Sequence, residues 1–185
     1  MRRPILLALL IPLGTQAADI QSLTVTRDAT RYHVDLQVTL QAPAAAAYQA
    51  FANPANLPRI NPNVQQVQVL ERSNEQSARL YTEVRVCAML YCKTLRQIQD
   101  MHYEARPDGG EMQAEVRPEA SDFHYGHADW SFRPAGPNTQ LHFTAELEPA
   151  FWIPPVIGPW LVERSLREEA ERTSAGIEKL AKPRD

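Results

Sequence analysis

The sequence has little of what most enzyme active sites need. Its seven glycines form no GxGxxG motif, no phosphate-binding loop and no GxSxG motif, so the usual signs of dinucleotide, nucleotide and serine-hydrolase sites are missing. Lysine is scarce, occurring at Lys93, Lys179 and Lys182. A formal net charge of −3 without a basic cluster argues against nucleic acid or an anionic membrane surface as a partner. We therefore expect no catalytic constellation and no cofactor.

Histidine does not point to a metal site. His124 and His127 lie three residues apart on a predicted strand, which places their side chains on opposite faces of the sheet. We predict no metal ligands. If the chain were an enzyme, the polar side chains that we would choose for proton transfer are His102, Arg85 and Asp129.

The chain also lacks a hydrophobic run that could cross a bilayer. The apolar stretch at 5–13 is broken by a proline and is far shorter than the roughly 20 residues that a spanning helix needs. Arg2 and Arg3 precede it and small residues follow it, which is the layout of a secretory signal peptide. We predict cleavage after Ala17 and a mature periplasmic chain without a stable membrane span. That chain keeps 17 basic and 22 acidic residues, a net charge of −5.

Cysteine is limited to Cys87 and Cys92. In an exported chain a disulfide persists, and the four residues between them could form a hairpin loop that brings the two sulfurs together. The alternative is a redox-active pair, but nothing nearby lowers a thiol pKa as a helix start would. A zinc site is disfavoured because no second cysteine or histidine pair has suitable spacing. We favour a structural disulfide.

Alternating and helical patterns define the architecture. Residues 31–41 alternate strictly between apolar and polar side chains, which predicts a half-buried strand, and the alanine-rich residues 44–51 predict a short helix. Further alternating runs begin at Val64 and near 79–88, 93–105, 111–118, 123–133 and 140–149, with hairpin-length turns between several of them. This order predicts an antiparallel meander.

The last segment is a long amphipathic helix. Its apolar side chains recur every three or four residues, at Leu166, Ala170, Thr173, Ile177 and Leu180. An antiparallel sheet with one apolar face needs a cover, and this helix is the element long enough to provide it. We divide the chain into a signal peptide (1–17), a lead-in (18–30), one α+β domain (31–182) and a short tail (183–185).

Several short motifs, each of low specificity, occur in an order that resembles a known family. Leu57, Pro58, Pro62 and Val64 follow an Ala-Pro step and a short helix, DWSFRP begins at Asp129, and a proline-rich entry precedes the last helix. This order is similar to START-like (SRPBCC) proteins, in their bacterial polyketide cyclase/dehydratase and coenzyme Q-binding branch. The resemblance covers roughly 31–182. It implies a helix-grip (START/Bet v 1-like) fold, in which about seven curved antiparallel strands surround the C-terminal helix.

The resemblance implies a cavity between sheet and helix, and the apolar strand faces supply its candidate lining. These candidates are Trp130, Phe132, Phe143, Leu147, Met112, Leu36 and Val38 from the strands, with Trp160 and Leu166 from the helix. Most side chains of this kind simply pack in the core. Candidates for the rim or gate are Leu57, Pro58, Pro62, Phe151 and Trp152.

The expected function is binding of a hydrophobic or amphipathic small molecule, such as a lipid or an isoprenoid quinone. One alternative is a cyclase or aromatase-like enzyme that uses the same pocket. Another is an envelope module whose acidic outer sheet meets a protein partner.

Overall fold

A computed structural model describes residues 19–88, 91–153 and 158–182. In this part of the chain eight strands form one antiparallel sheet: β1 (Asp19–Asp28), β2 (Arg31–Leu40), β3 (Val64–Asn74), β4 (Ser77–Ala88), β5 (Tyr91–Arg106), β6 (Gly109–Arg117), β7 (Phe123–Ala135) and β8 (Asn138–Pro149). The helices are α1 (Ala44–Ala52), α2 (Leu57–Ile60) and α3 (Gly158–Ala181), with short 3₁₀ turns at Pro54–Asn56 and Pro118–Ala120. The predicted signal peptide and Pro154 and Pro155 lie outside the described residues.

Strand order follows from hairpins and one long connection. The order across the sheet is β1-β2-β8-β7-β6-β5-β4-β3, so β3 to β8 form a meander and β2 pairs with the last strand. The connection from β2 to β3 carries α1 and α2, which places both at one end of the sheet. The predicted α+β helix-grip class is confirmed.

The sheet has eight strands rather than about seven, because the segment predicted as a lead-in forms β1. Its alternation is broken by a register shift between Ile20 and Ser22, so the strand period is hard to see in the sequence. The sequence also gives no sign of the turn between β1 and β2, because Ala29 adopts φ +50° at a position where glycine or asparagine is usual. Leu23 and Val25 pack against the core from this strand.

The core lies between the inner face of the sheet, which is the face toward the helices, and α1 with the second half of α3. Alternate residues of β2, from Tyr32 to Leu40, are all buried, as the period-two pattern predicts. In α1 the small Ala44 and Ala47 are buried, and Ala47 N–H donates to the carbonyl of Pro43 at 2.9 Å. These contacts fix α1 against β6 and β7.

Helix α3 is packed closely against α2. A Cβ built on Gly176 would lie 1.9 Å from the carbonyl oxygen of Ile60, so only glycine permits this approach. Glu178, which the helical pattern places with the polar residues, is buried and accepts a 2.8 Å hydrogen bond from the N–H of Gln41. This bond joins the end of β2 to the last turns of α3.

Among the described helices, none has both the length and the apolar character that crossing a membrane requires.

Cys87 and Cys92 are bonded to each other. They are ladder partners near the tip of the β4–β5 hairpin, and both are exposed. The predicted disulfide is therefore present in the structure.

Candidate ligand-binding site

Helix α3 does not cover the whole inner face of the sheet. It packs mainly against β1, β2 and β4, which lie toward the two edges, whereas the central strands β6 and β7 are packed at one end by α1. A helix that bridges the two sides of a twisted sheet stands away from the strands in the middle. The central strands are therefore covered less closely by α3 than the strands toward the edges.

The burial of α3 shows which part of the helix is packed least closely. From Ala170 onward the helix is anchored by a regular buried stripe that consists of Ala170, Ser174, Ile177, Glu178 and Ala181. Between Pro159 and Glu169, by contrast, every residue keeps at least partial exposure. The first half of α3 is thus packed less closely than the second half.

Large apolar side chains on the facing strands also remain half-buried. Trp130 of β7 and Phe143 of β8 are cross-strand partners whose rings lie 5.2 Å apart, and Leu147 follows on the same face of β8. Leu166 of α3 is half-buried as well and packs against the edge of the core. We call the region bordered by the half-buried Trp130, Phe143, Leu147 and Leu166 the interior hollow. Its apolar walls and partial enclosure suit an apolar ligand.

Four of the predicted lining residues belong to the packed core instead. Phe132, Met112 and Val38 are at most 2% exposed, and Leu36 is 7% exposed. The ring of Phe132 lies 6.0 Å from that of Tyr48 of α1. Phe132 thus packs at the end of the domain next to α1, whereas Leu36 is the ladder partner of Phe143 and is buried beside it.

The structure places Trp160 outside the hollow. It is 51% exposed, and the guanidinium of Arg164 lies 5.8 Å from its ring. Trp160 and Leu166 are six residues apart, which is about 240° around a helix, so they cannot share one face. The expectation that both face the sheet is therefore wrong for Trp160.

The proline- and asparagine-rich segment at 51–64 holds α3 in place. Asn61 is buried and donates to Glu169 Oε2 at 2.6 Å and to Thr173 Oγ1 at 3.1 Å. Asn63 donates to Glu169 Oε1 at 2.5 Å. We call Asn61, Asn63 and Glu169 the α3 bracket. It is the role of the asparagines that the sequence analysis missed.

The predicted rim residues divide between the two ends of the domain. Leu57, Pro58 and Pro62 lie beside the α3 bracket, where Leu57 is half-buried and both prolines are exposed. Phe151 lies at the opposite end, packs edge-on against Phe123 with centroids 6.5 Å apart, and is half-buried. Trp152 is 78% exposed. Phe151 thus packs at the end of the domain where α3 begins, while Trp152 faces solvent.

Three buried polar atoms on the inner face were also not identified from the sequence. Arg27 Nε, Tyr32 Oη and Thr82 Oγ1 have no hydrogen-bond partner among the described residues. Tyr32 belongs to the alternating apolar positions of residues 31–41, and Arg27 belongs to the segment 18–30 assigned to the lead-in. Unpaired buried donors are uncommon and call for an explanation.

The residues considered for proton transfer lie on the outer face of the sheet. His102 and Arg85 are exposed there, and Asp129 Oδ2 contacts His127 Nε2 at 2.7 Å on the same face. None of the three can reach a molecule held in the interior hollow. On the inner face, burial raises the pKa of Tyr103 to about 12, so this phenol stays protonated near neutral pH and is not a base.

Two open depressions of about 320 and 350 Å³ also lie on the outer face. Most of the residues that line them are polar or charged; the first includes His33, Asp35 and Glu146, and the second includes Arg79 and Asp100. Many of these groups already pair with one another, as in the 2.7 Å contact between Arg79 and Asp100. They do not offer the apolar walls of the interior hollow. Within the described residues no set of three His, Cys, Asp or Glu side chains could hold a metal ion.

Comparison with known proteins agrees with this geometry. A family model described as polyketide cyclase / dehydrase and lipid transport matches residues 31–180. No curated protein matches the sequence.

Three similar solved structures are distant in sequence. The chain is 19% identical to a START superfamily protein from Mycobacterium smegmatis, with a TM-score of 0.66 over 80% of this chain and 98% of that one. It is 16% identical to the Zhui aromatase/cyclase from Streptomyces sp. R1128, with a TM-score of 0.65 over 81% and 93%. A STAR-related lipid transfer protein from Xanthomonas axonopodis is 16% identical, with a TM-score of 0.58 over 86% and 96%. At these identities the likeness shows the fold.

Proposed function

The chain belongs to the polyketide cyclase / dehydrase and lipid transport family, and from that premise we propose that it binds a hydrophobic or amphipathic small molecule in the interior hollow. The observation that carries the proposal is that Trp130, Phe143 and Leu147 on the inner face of the sheet stay half-buried, as do most residues in the first half of α3. These side chains occupy positions that would be fully buried if α3 closed on the sheet.

The energy available for binding is considerable. Covering apolar surface is worth roughly 25 cal/mol per Å², so a ligand that removes about 200 Å² from water gains roughly 5 kcal/mol from that term alone. Part of this gain offsets the loss of translational and rotational freedom. A lipid or an isoprenoid quinone has enough apolar surface to bind in this way, and the description of the family as one of lipid transport supports the first.

Binding is favoured over a cyclase reaction because of where the polar side chains lie. The groups that could move protons in the cyclase alternative, His102, Arg85 and Asp129, project from the outer face. A reaction in the hollow would need other groups, and Tyr103 is not suited to act as a base.

We also propose that the chain acts in the periplasm after removal of residues 1–17. The layout of the first residues and the bonded, exposed Cys87–Cys92 pair support an oxidising compartment. Cell fractionation with N-terminal sequencing tests this proposal. Recovery of the uncleaved chain from the cytoplasm would contradict it.

Native mass spectrometry tests the binding proposal. We expect protein from the producing cells to carry a non-covalent apolar molecule that solvent extraction releases. Leu166→Trp places a larger side chain in the hollow and should lower the bound fraction at least tenfold. Leu70→Trp makes the same change at an exposed position of β3 and serves as the control. Equal occupancy in both variants would place the ligand elsewhere, and an empty wild-type protein that takes up no added lipid would contradict the proposal.

A further inference from the structure

Arg27 lies on the inner face of β1 with an unused donor. It is the ladder partner of Tyr32, and its guanidinium carbon lies 5.5 Å from the centre of the Tyr32 ring. Its Nε is buried and has no hydrogen-bond partner among the residues that the structure describes. Arg31 on the outer face, by contrast, is paired with Glu148 at 3.3 Å. Because burying one nitrogen of a guanidinium without a hydrogen-bond partner is costly, the position of Arg27 favours an acceptor beside it, and an anion suits a guanidinium best.

Tyr32 brings a second unused donor to the same place. The residue is 2% exposed, and its hydroxyl has no partner in the described part of the chain. A Cβ built on Gly158, where α3 begins, would lie 2.7 Å from Tyr32 Oη. The hydroxyl is therefore directed at the start of α3, and glycine at this position leaves room for it.

The first turn of α3 adds a third source of positive potential. The first N–H groups of a helix have no partner inside the helix, and the aligned peptide dipoles place about half a positive charge there. Pro159 has no N–H, so the free donors in this turn come from Gly158 and Trp160. The arginine, the tyrosine hydroxyl and the helix start all favour the same kind of partner, an oxyanion.

We propose that Arg27, Tyr32 and the first turn of α3, here called the head-group site, bind the carboxylate or phosphate of an anionic amphiphile. This inference rests on the proposed function, because the tail of the same molecule would occupy the interior hollow. It narrows the ligand class from any apolar molecule to one with an anionic head, and it disfavours uncharged molecules such as quinones.

The sheet places the head-group site beside the hollow. Tyr32 is the ladder partner of Leu147, which bounds the hollow on β8. Phe143 lies four residues back along β8 on the same face, about 13 Å away at the usual rise per residue. A molecule with its head at Arg27 and Tyr32 would extend its tail past Leu147 toward Phe143 and Trp130.

Three probes with the same chain length separate head from tail: decanoate, decyl phosphate and decanol. Calorimetric titration of ligand-free mature protein should give at least tenfold tighter binding for one or both anions than for decanol. Tighter binding of decanoate would identify a carboxylate, and tighter binding of decyl phosphate a phosphate. Arg27→Met should lower the ratio of anion to alcohol affinity at least tenfold. Arg85→Met, an exposed arginine on the outer face, should keep the wild-type ratio.

Tyr32→Phe distinguishes a binding role from a structural one. If the Tyr32 hydroxyl donates to the ligand, its removal should lower the preference for the anion severalfold. The melting temperature of the ligand-free protein should not fall, because the removed hydroxyl has no hydrogen-bond partner there. A lower melting temperature with an unchanged preference would overturn the role of Tyr32.

Two results separate the failure of this inference from failure of the proposed function. Equal binding of all three probes by the wild type, or an unchanged ratio in Arg27→Met, would overturn the head-group site and leave apolar binding intact. Failure of the wild type to bind any of the probes would overturn both.

Discussion

Replacing Glu169 with glutamine should release α3 from the connection between α2 and β3. In the α3 bracket the two oxygens of Glu169 accept from Asn61 at 2.6 Å and from Asn63 at 2.5 Å. Arg172 also donates to Glu169 at 2.9 Å from the helix surface, and the Glu169 side chain is 19% exposed. Glutamine has the same shape but only one acceptor oxygen, so one asparagine donor then faces an amide NH₂ group.

The expected loss follows from the bonds that change. A hydrogen bond to a charged group contributes about 1.5 to 3 kcal/mol, so Glu169→Gln should lower the free energy of unfolding by about 2 kcal/mol. At this chain length that corresponds to a fall in melting temperature of about 4 to 8 °C. Urea unfolding followed by circular dichroism measures the first quantity, and a thermal scan measures the second.

Glu168→Gln is a matched control at the adjacent position. Glu168 forms helix-surface ion pairs with Arg164 and Arg172 and is 40% exposed, so its substitution should cost less than about 1 kcal/mol. If the two variants lose the same stability, the bracket does not hold α3 and this reasoning is wrong. Glu169→Gln should also speed ligand release, because the helix that covers the hollow is held less firmly.

Three further predictions concern other parts of the fold. Gly176→Ala should destabilise the domain by more than 1 kcal/mol in urea unfolding, because its Cβ would overlap the backbone of Ile60, whereas a helix surface normally gains from alanine. Cys87→Ser should cost about 2 kcal/mol by the loop-entropy model, and an unchanged midpoint under non-reducing conditions would contradict it. Burial lowers the pKa of His127, but hydrogen bonds to two carboxylates outweigh it and raise the pKa above its usual value. The stabilisation by His127 is therefore complete below about pH 6.5 and is lost as the pH rises through the folded-state pKa, so His127→Gln should be more harmful at pH 6 than at pH 9.

The sequence predicted the elements whose local pattern matches their tertiary environment. Strand β2 alternates strictly because one face is buried along its whole length, and α3 was recognised from its apolar stripe. Strand β1 was missed because a register shift disturbs its period and its turn uses Ala29 with a positive φ. The eighth strand therefore needed the structure.

The site could be predicted only in part, because lining a hollow and filling a core require the same apolar residue types. Phe132 and Phe143 look alike in the sequence, yet Phe132 is buried against Tyr48 of α1 whereas Phe143 stays half-buried beside Trp130. Polar roles were harder still. Nothing local shows that Tyr32 points its hydroxyl at a helix start, since Gly158 is more than a hundred residues away in the sequence.

Trp130 offers the most direct test of ligand binding in the interior hollow. The chain has three tryptophans, and Trp152 and Trp160 are exposed, so replacing both with phenylalanine leaves Trp130 as the single reporter. Decanoate is titrated into this variant while emission and acrylamide quenching are recorded, with calorimetry confirming that binding occurs. The account predicts a blue shift and weaker quenching that saturate with binding. Binding that leaves the emission and quenching of Trp130 unchanged would place the ligand outside the hollow and contradict the account.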